Sequence, residues 1–183
     1  MGGTGQHSKR NRGEEMTDAE KKELFYSLIH EVSQATRSSE EADQALEEVC
    51  KILKDKVPHY DWVGFYLTDP NVERQLVLGP YSGAPTEHVR IGFGQGICGQ
   101  AAETKKTFIV QDVSAETNYL ACSPDVRSEI VLPLLHQGEV MGELDIDSHT
   151  TGAFSEEDRG FLLKVCYAVS RLLQRAREAR KKT

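Results

Sequence analysis

The apolar residues of this chain change their spacing twice, and that change dictates an order of helix, sheet, helix. Leu24, Phe25, Leu28, Ile29 and Val32 recur at helical spacing, and Ala42, Ala45, Leu46, Val49, Ile52 and Leu53 form a second stripe. From Asp61 onward the pattern gives way to short runs rich in aromatic and β-branched residues, as strands require. Helical spacing returns after Ser155, with Phe161, Leu162, Val165, Val169, Leu172 and Leu173. The pairs Thr17/Glu20, Ser38/Glu41 and Ser155/Asp158 have the spacing of helix-starting boxes. Helices are therefore expected at about 17–36, at about 39–55, and from Ser155 to near the end.

Strands are expected at 61–68, from 75 to 78, and at 107–110, 128–135 and 139–147. Asp69-Pro70-Asn71 and His136-Gln137-Gly138-Glu139 read as turns between neighbours. Two long connections remain, 80–100 and 111–127, and loops of that length usually carry function. The pattern predicts one α+β domain over 17–183, with N- and C-terminal helices packed on one face of an antiparallel sheet. Residues 1–16 are polar and glycine-rich and read as a disordered extension.

Charge and cysteine usage exclude several classes. A net charge of −7 opposes general nucleic-acid binding, which needs a positive field. No run of about 18 apolar residues exists, so no membrane span is expected. The four cysteines, Cys50, Cys98, Cys122 and Cys166, are too sparse for a disulfide scaffold. They form no CxxC pair and no zinc-type cluster, so neither metal nor cofactor is expected, and a cytoplasmic location is. Cys50 and Cys166 lie on or beside helical stripes and read as core thiols.

Chemistry is expected in the two long connections. Gly92-Phe93-Gly94-Gln95-Gly96-Ile97-Cys98-Gly99 lacks the Lys-Ser/Thr pair of a phosphate loop and reads as a tight turn. Cys122 sits in a polar, irregular stretch, which makes it the leading nucleophile candidate, with Cys98 second. Glu129 opens the strand that follows. Asp145 and Asp147 lie two apart on the last strand and so share a sheet face, where like charges raise at least one pKa.

Six segments together carry a family resemblance: DWVGFYL (61–67), QLVLGPYSG (75–83), VRIGFGQGICG (89–99), NYLACS (118–123), SEIVLPL (128–134) and GELDIDS (142–148). From about residue 20 to 175 the chain resembles a GAF domain, and within that superfamily the free methionine-(R)-sulfoxide reductases. The resemblance implies a six-stranded antiparallel sheet with helices on one side and a small pocket on the other. It implies that Cys122 attacks the sulfoxide sulfur, and that Glu129, Asp145 and Asp147 hold the substrate amine and sulfoxide oxygen. It makes Trp62 the wall for the methyl thioether end, with Tyr66 its neighbour. A second thiol would then form a disulfide that a thioredoxin-type reductant opens.

The family usually has a further cysteine ten residues before the glycine-loop cysteine; here His88 stands there. That leaves Cys98, or an external reductant, to resolve the intermediate. Two other readings stay open: a non-enzymatic GAF module that senses a small molecule, and a Cys98/Cys122 redox switch. Homodimerisation through the terminal helices is a further expectation.

Overall fold

The computed structural model describes residues 16–39, 41–118, 120 and 123–182. Helix α1 spans Asp18–Ser38 and α2 spans Ala42–Lys56. Strands β1 (Trp62–Thr68), β2 (Gln75–Ser82) and β3 (Arg90–Gly92) follow, then a short helix α3 (Gly96–Thr104) and β4 (Phe108–Val110). Strands β5 (Ser128–His136) and β6 (Glu139–Ser148) precede the long helix α4 (Glu156–Arg180). Of the segment read as a disordered extension, residues 1–15 lie outside the described residues.

Two of the three expected capping boxes form. The Thr17 amide donates to Glu20 at 2.9 Å, and the Ser155 amide donates to Asp158 at 2.8 Å. The box expected at Ser38/Glu41 does not form. The first helix runs on through Ser38, whose hydroxyl donates to the Gln34 carbonyl at 2.8 Å instead. Glu41 caps α2 without a side-chain hydrogen bond. A serine hydroxyl can bond back into the helix as readily as cap the next one, so the spacing alone does not choose.

All six strands pair antiparallel in the order β3-β2-β1-β6-β5-β4. The tight turn at Gln137-Gly138 takes positive φ at both residues, 49° and 82°, as a two-residue hairpin requires. One sheet face packs on α1, α2 and α4 through Val63, Phe65, Ile130, Leu132, Leu144 and Ile146, all buried. Phe25 of α1 stacks on Phe161 of α4 at 4.4 Å, tying the two terminal helices together over this face. Cys50 and Cys166 are buried in the same layer, and burial pushes both thiols up, so they act as packing groups.

The opposite face carries a smaller cluster that includes Trp62, Tyr66, Val131 and, from α3, Ile97, Cys98, Ala101 and Ala102. Helix α3, like strand β3, is an element that residue spacing did not anticipate. The glycine-rich segment is a turn only as far as Gln95 and becomes helical at Gly96. Cys98 therefore sits on a helix, 5% exposed, and not in an open loop. The connection from 80 to 100 likewise contains the end of β2 and all of β3.

Candidate functional site

Pairing across the three central strands builds the site in rows. In an antiparallel ladder, residues directly opposite one another project from the same face. Trp62 on β1 stands opposite Asp147 on β6, which stands opposite Glu129 on β5. The next row is Gly64, Asp145 and Val131, and the third is Tyr66, Glu143 and Pro133. Leu144 and Ile146 point the other way, into the helix-covered core. Period-two alternation thus puts Glu143, Asp145 and Asp147 on one face, beneath α3.

All four carboxylates are buried: Glu129 is 4% exposed, Asp147 1%, and Glu143 and Asp145 0%. Among the described residues no hydrogen-bond partner reaches Glu129 Oε2, either Glu143 oxygen, Asp145 Oδ1 or either Asp147 oxygen. Burial, and then the Asp145 carboxylate, push Glu143 well above its ordinary value. Glu129 and Asp147 are raised for the same two reasons, in the same order. Asp145 is pushed up to about 7 by burial. A buried carboxylate oxygen without a donor is costly to ionise, which is why these acids hold their protons to higher pH.

Cys98 touches the nest directly. Its Sγ lies 3.4 Å from Asp145 Oδ2 and 3.8 Å from Glu129 Oε1. Cys122 lies outside the described residues. Ser123, the next residue in sequence, lines a cleft of about 490 Å³ together with Trp62, Gly83, Ala84 and Asp147.

The aromatic wall is fixed on two sides. Trp62 Nε1 donates to the Ala84 carbonyl at 3.0 Å, and its ring stacks on Tyr81 at 5.5 Å. The ring lies over Gly64: a Cβ there would come within 2.2 Å of Trp62 Cη2. Tyr66 is fully buried 6.4 Å from the Trp62 ring, and its hydroxyl donates to the His88 carbonyl at 2.9 Å.

Asn118 joins the two connections. Its Oδ1 accepts from the Gly96 amide at 3.1 Å, and its Nδ2 donates to the Gly94 carbonyl at 3.1 Å. Asn118→Ala removes both bonds. It is expected to cost about 1–2 kcal/mol and to speed hydrogen exchange at Gly96, read by NMR.

Six of the seven residues singled out from sequence, Cys98, Trp62, Tyr66, Glu129, Asp145 and Asp147, thus lie on one side of the sheet. Cys98 contributes from a buried helix, which corrects the expectation of a loop thiol; its small glycine-rich surroundings let α3 press against the sheet. Glu143 is the residue that sequence reasoning missed. Its signal was present, since it continues the alternation of Asp145 and Asp147 by one more step.

The same architecture occurs in known proteins. The GAF domain family matches residues 35–174. GAF domain-containing protein A of Dictyostelium discoideum is 37% identical over 151 residues, which cover 82% of this chain and 93% of that protein. The free methionine-R-sulfoxide reductase of Escherichia coli is 33% identical over 150 residues, covering 81% of this chain and 88% of that protein. The free methionine-R-sulfoxide reductase of Neisseria meningitidis, solved in complex with its substrate, superposes with a TM-score of 0.83 at 31% identity. That match covers 92% of this chain and 99% of that one. The helix-backed antiparallel sheet and these similarities agree, and the chain belongs to the GAF domain family.

Proposed function

We propose that the protein reduces free methionine-(R)-sulfoxide to methionine. The nest of buried carboxylates beside Trp62 and Cys98, most of whose oxygens have no partner among the described residues, carries this reading. A free amino acid brings an ammonium group, which supplies positive charge and donors for the oxygens of Glu129, Asp145 and Asp147 that have no partner among the described residues. The sulfoxide oxygen is an acceptor that gains charge as the S–O bond breaks. A carboxylic acid held neutral near pH 7 can donate to it, and Asp145 or Glu143 fits that task. Trp62 offers an apolar surface for the methyl thioether end.

In this reading the Cys122 sulfur attacks the sulfoxide sulfur, and oxygen passes to it, leaving methionine and a Cys122 sulfenic acid. The Cys98 thiol then attacks that sulfur; an S–S bond forms and water leaves with the oxygen. Asp145, 3.4 Å from Cys98 Sγ, is placed to take the thiol proton. A thioredoxin-type dithiol reopens the disulfide by exchange. The sum is one sulfoxide and one dithiol giving one thioether, one disulfide and one water. Three acids close to the reacting thiols would suppress thiolate formation in the empty site. The substrate ammonium removes that penalty, so binding and activation are coupled.

The test is turnover of free methionine-R-sulfoxide to methionine with either dithiothreitol or a thioredoxin system. Wild type is expected to turn over with both. Cys122→Ser should lose at least ~10³-fold in rate with either reductant. Cys98→Ser should keep the dithiothreitol reaction and lose the thioredoxin reaction. No turnover by the reduced wild-type protein with either reductant would sink the reading.

A further inference from the structure

We propose that Cys98, Glu129 and Asp145 also form a binding site for a divalent thiophilic cation of the Zn²⁺ class. One ligand atom from each of the three lies within 4.8 Å of the other two, and all three side chains are buried. A tetrahedral zinc ion with Zn–S about 2.3 Å and Zn–O about 2.1 Å places its sulfur and oxygen ligands about 3.6 Å apart. The observed separations, 3.4 Å to Asp145 Oδ2 and 3.8 Å to Glu129 Oε1, fall on either side of that value. The cysteine and the two acids come from α3, β5 and β6, far apart in sequence, which is why no ligand spacing announces the site.

A second observation points to a ligand. Both oxygens of Asp147 are buried with no partner among the described residues, on the same face as Asp145. Such acids can serve as the outer hydrogen-bonding groups that metal sites need. Charge favours the same conclusion. Four buried acids and a thiol form a nest of one sign, and a doubly charged ion neutralises the thiolate and one carboxylate at once. The mixed sulfur and oxygen donor set selects Zn²⁺ and Co²⁺ over Mg²⁺, which prefers oxygen alone. Because the ligands must lose protons, affinity should rise with pH. A bound ion would occupy the same thiol and acids that the proposed sulfoxide substrate uses, so metal and ammonium ligands would exclude each other. The site itself does not rest on the reductase reading.

The experiment uses the full chain, reduced with a non-chelating phosphine, and titrated with Co²⁺. A near-ultraviolet thiolate-to-cobalt charge-transfer band is expected to saturate at one equivalent, to vanish on adding Zn²⁺ and to persist in excess Mg²⁺. Cys98→Ser should abolish the band, Glu129→Gln should weaken Co²⁺ binding at least tenfold, and Cys122→Ser should leave the band in place. Thermal melts of each variant show that it is folded. A wild-type protein without the band, a band that survives Cys98→Ser, or one lost in Cys122→Ser overturns the proposal. Turnover plays no part in the readout, so failure of the reductase reading and failure of the metal site are separately visible.

Discussion

Asp145→Asn is expected to melt at a higher temperature than wild type above neutral pH while losing most of the proposed activity. Asp145 has a folded value of about 7 against an ordinary 3.8, because burial disfavours its charge. A group raised in the folded state contributes stability that is fully present below the unfolded value and lost as pH climbs through the folded one. The window is therefore about pH 4 to 8. By its upper end, ionising Asp145 inside the fold costs on the order of 4 kcal/mol. Glu129, Glu143 and Asp147 are raised by burial too and act in the same direction. The wild-type melting temperature should fall across this window, and the Asn variant should fall less. A wild-type profile that is flat or rising between pH 4 and 8 would contradict the buried-acid account. The same substitution removes a charge proposed to meet the substrate ammonium. It should lower kcat/KM by about 10²–10³-fold. A variant as active as wild type would remove Asp145 from the site.

The second large effect is expected at Gly64. A Cβ there would approach Trp62 Cη2 to 2.2 Å, Trp62 Cζ3 to 2.5 Å and Tyr81 Cβ to 2.9 Å. The indole cannot swing aside freely, since Ala84 holds its Nε1 and Tyr81 stacks on its face. Gly64→Val should therefore cost about 2–3 kcal/mol, as overpacked interiors do. It should also move the aromatic wall into the space over Asp145. KM for free methionine sulfoxide should rise at least about tenfold, because a misplaced wall weakens positioning. Urea unfolding and steady-state kinetics read the two effects. Unchanged stability and KM would show that the ring is looser than its contacts imply.

Much of this could be read from residues alone, and the omissions have physical causes. The terminal helices announced themselves because each buries one face against the sheet and so keeps a strict stripe, as Leu28 and Val165 do. Alternation exposed Asp145 and Asp147 as a pair, since one side of β6 is packed with Leu144 and Ile146. Helix α3 stayed hidden because its nine residues include Gly96 and Gly99, whose composition resembles a turn. What makes it a helix is long-range: Ile97, Cys98 and Ala101 pack onto the sheet, and Asn118 holds its first amide. The juxtaposition of Cys98 with Glu129 and Asp145 depends on that docking, so no local pattern could reveal it. The capping box at Ser38 failed for the opposite reason: a local motif was present, but the first helix outran it.

The place of β6 between β1 and β5 has a consequence for how the protein comes into being. Trp62 and Asp147 are direct neighbours across the sheet, yet they stand 85 positions apart along the chain. During synthesis β1 waits beside an empty position until nearly all of the sheet has left the ribosome. The acids of β6 and the tryptophan of β1 therefore meet only in the last stage of assembly, when α4 is about to cover the other side. Such long-range pairing is slow to form. It also means that no truncated product ending before β6 can hold a half-built, reactive pocket. The thiol chemistry proposed for this site would switch on only with the finished fold.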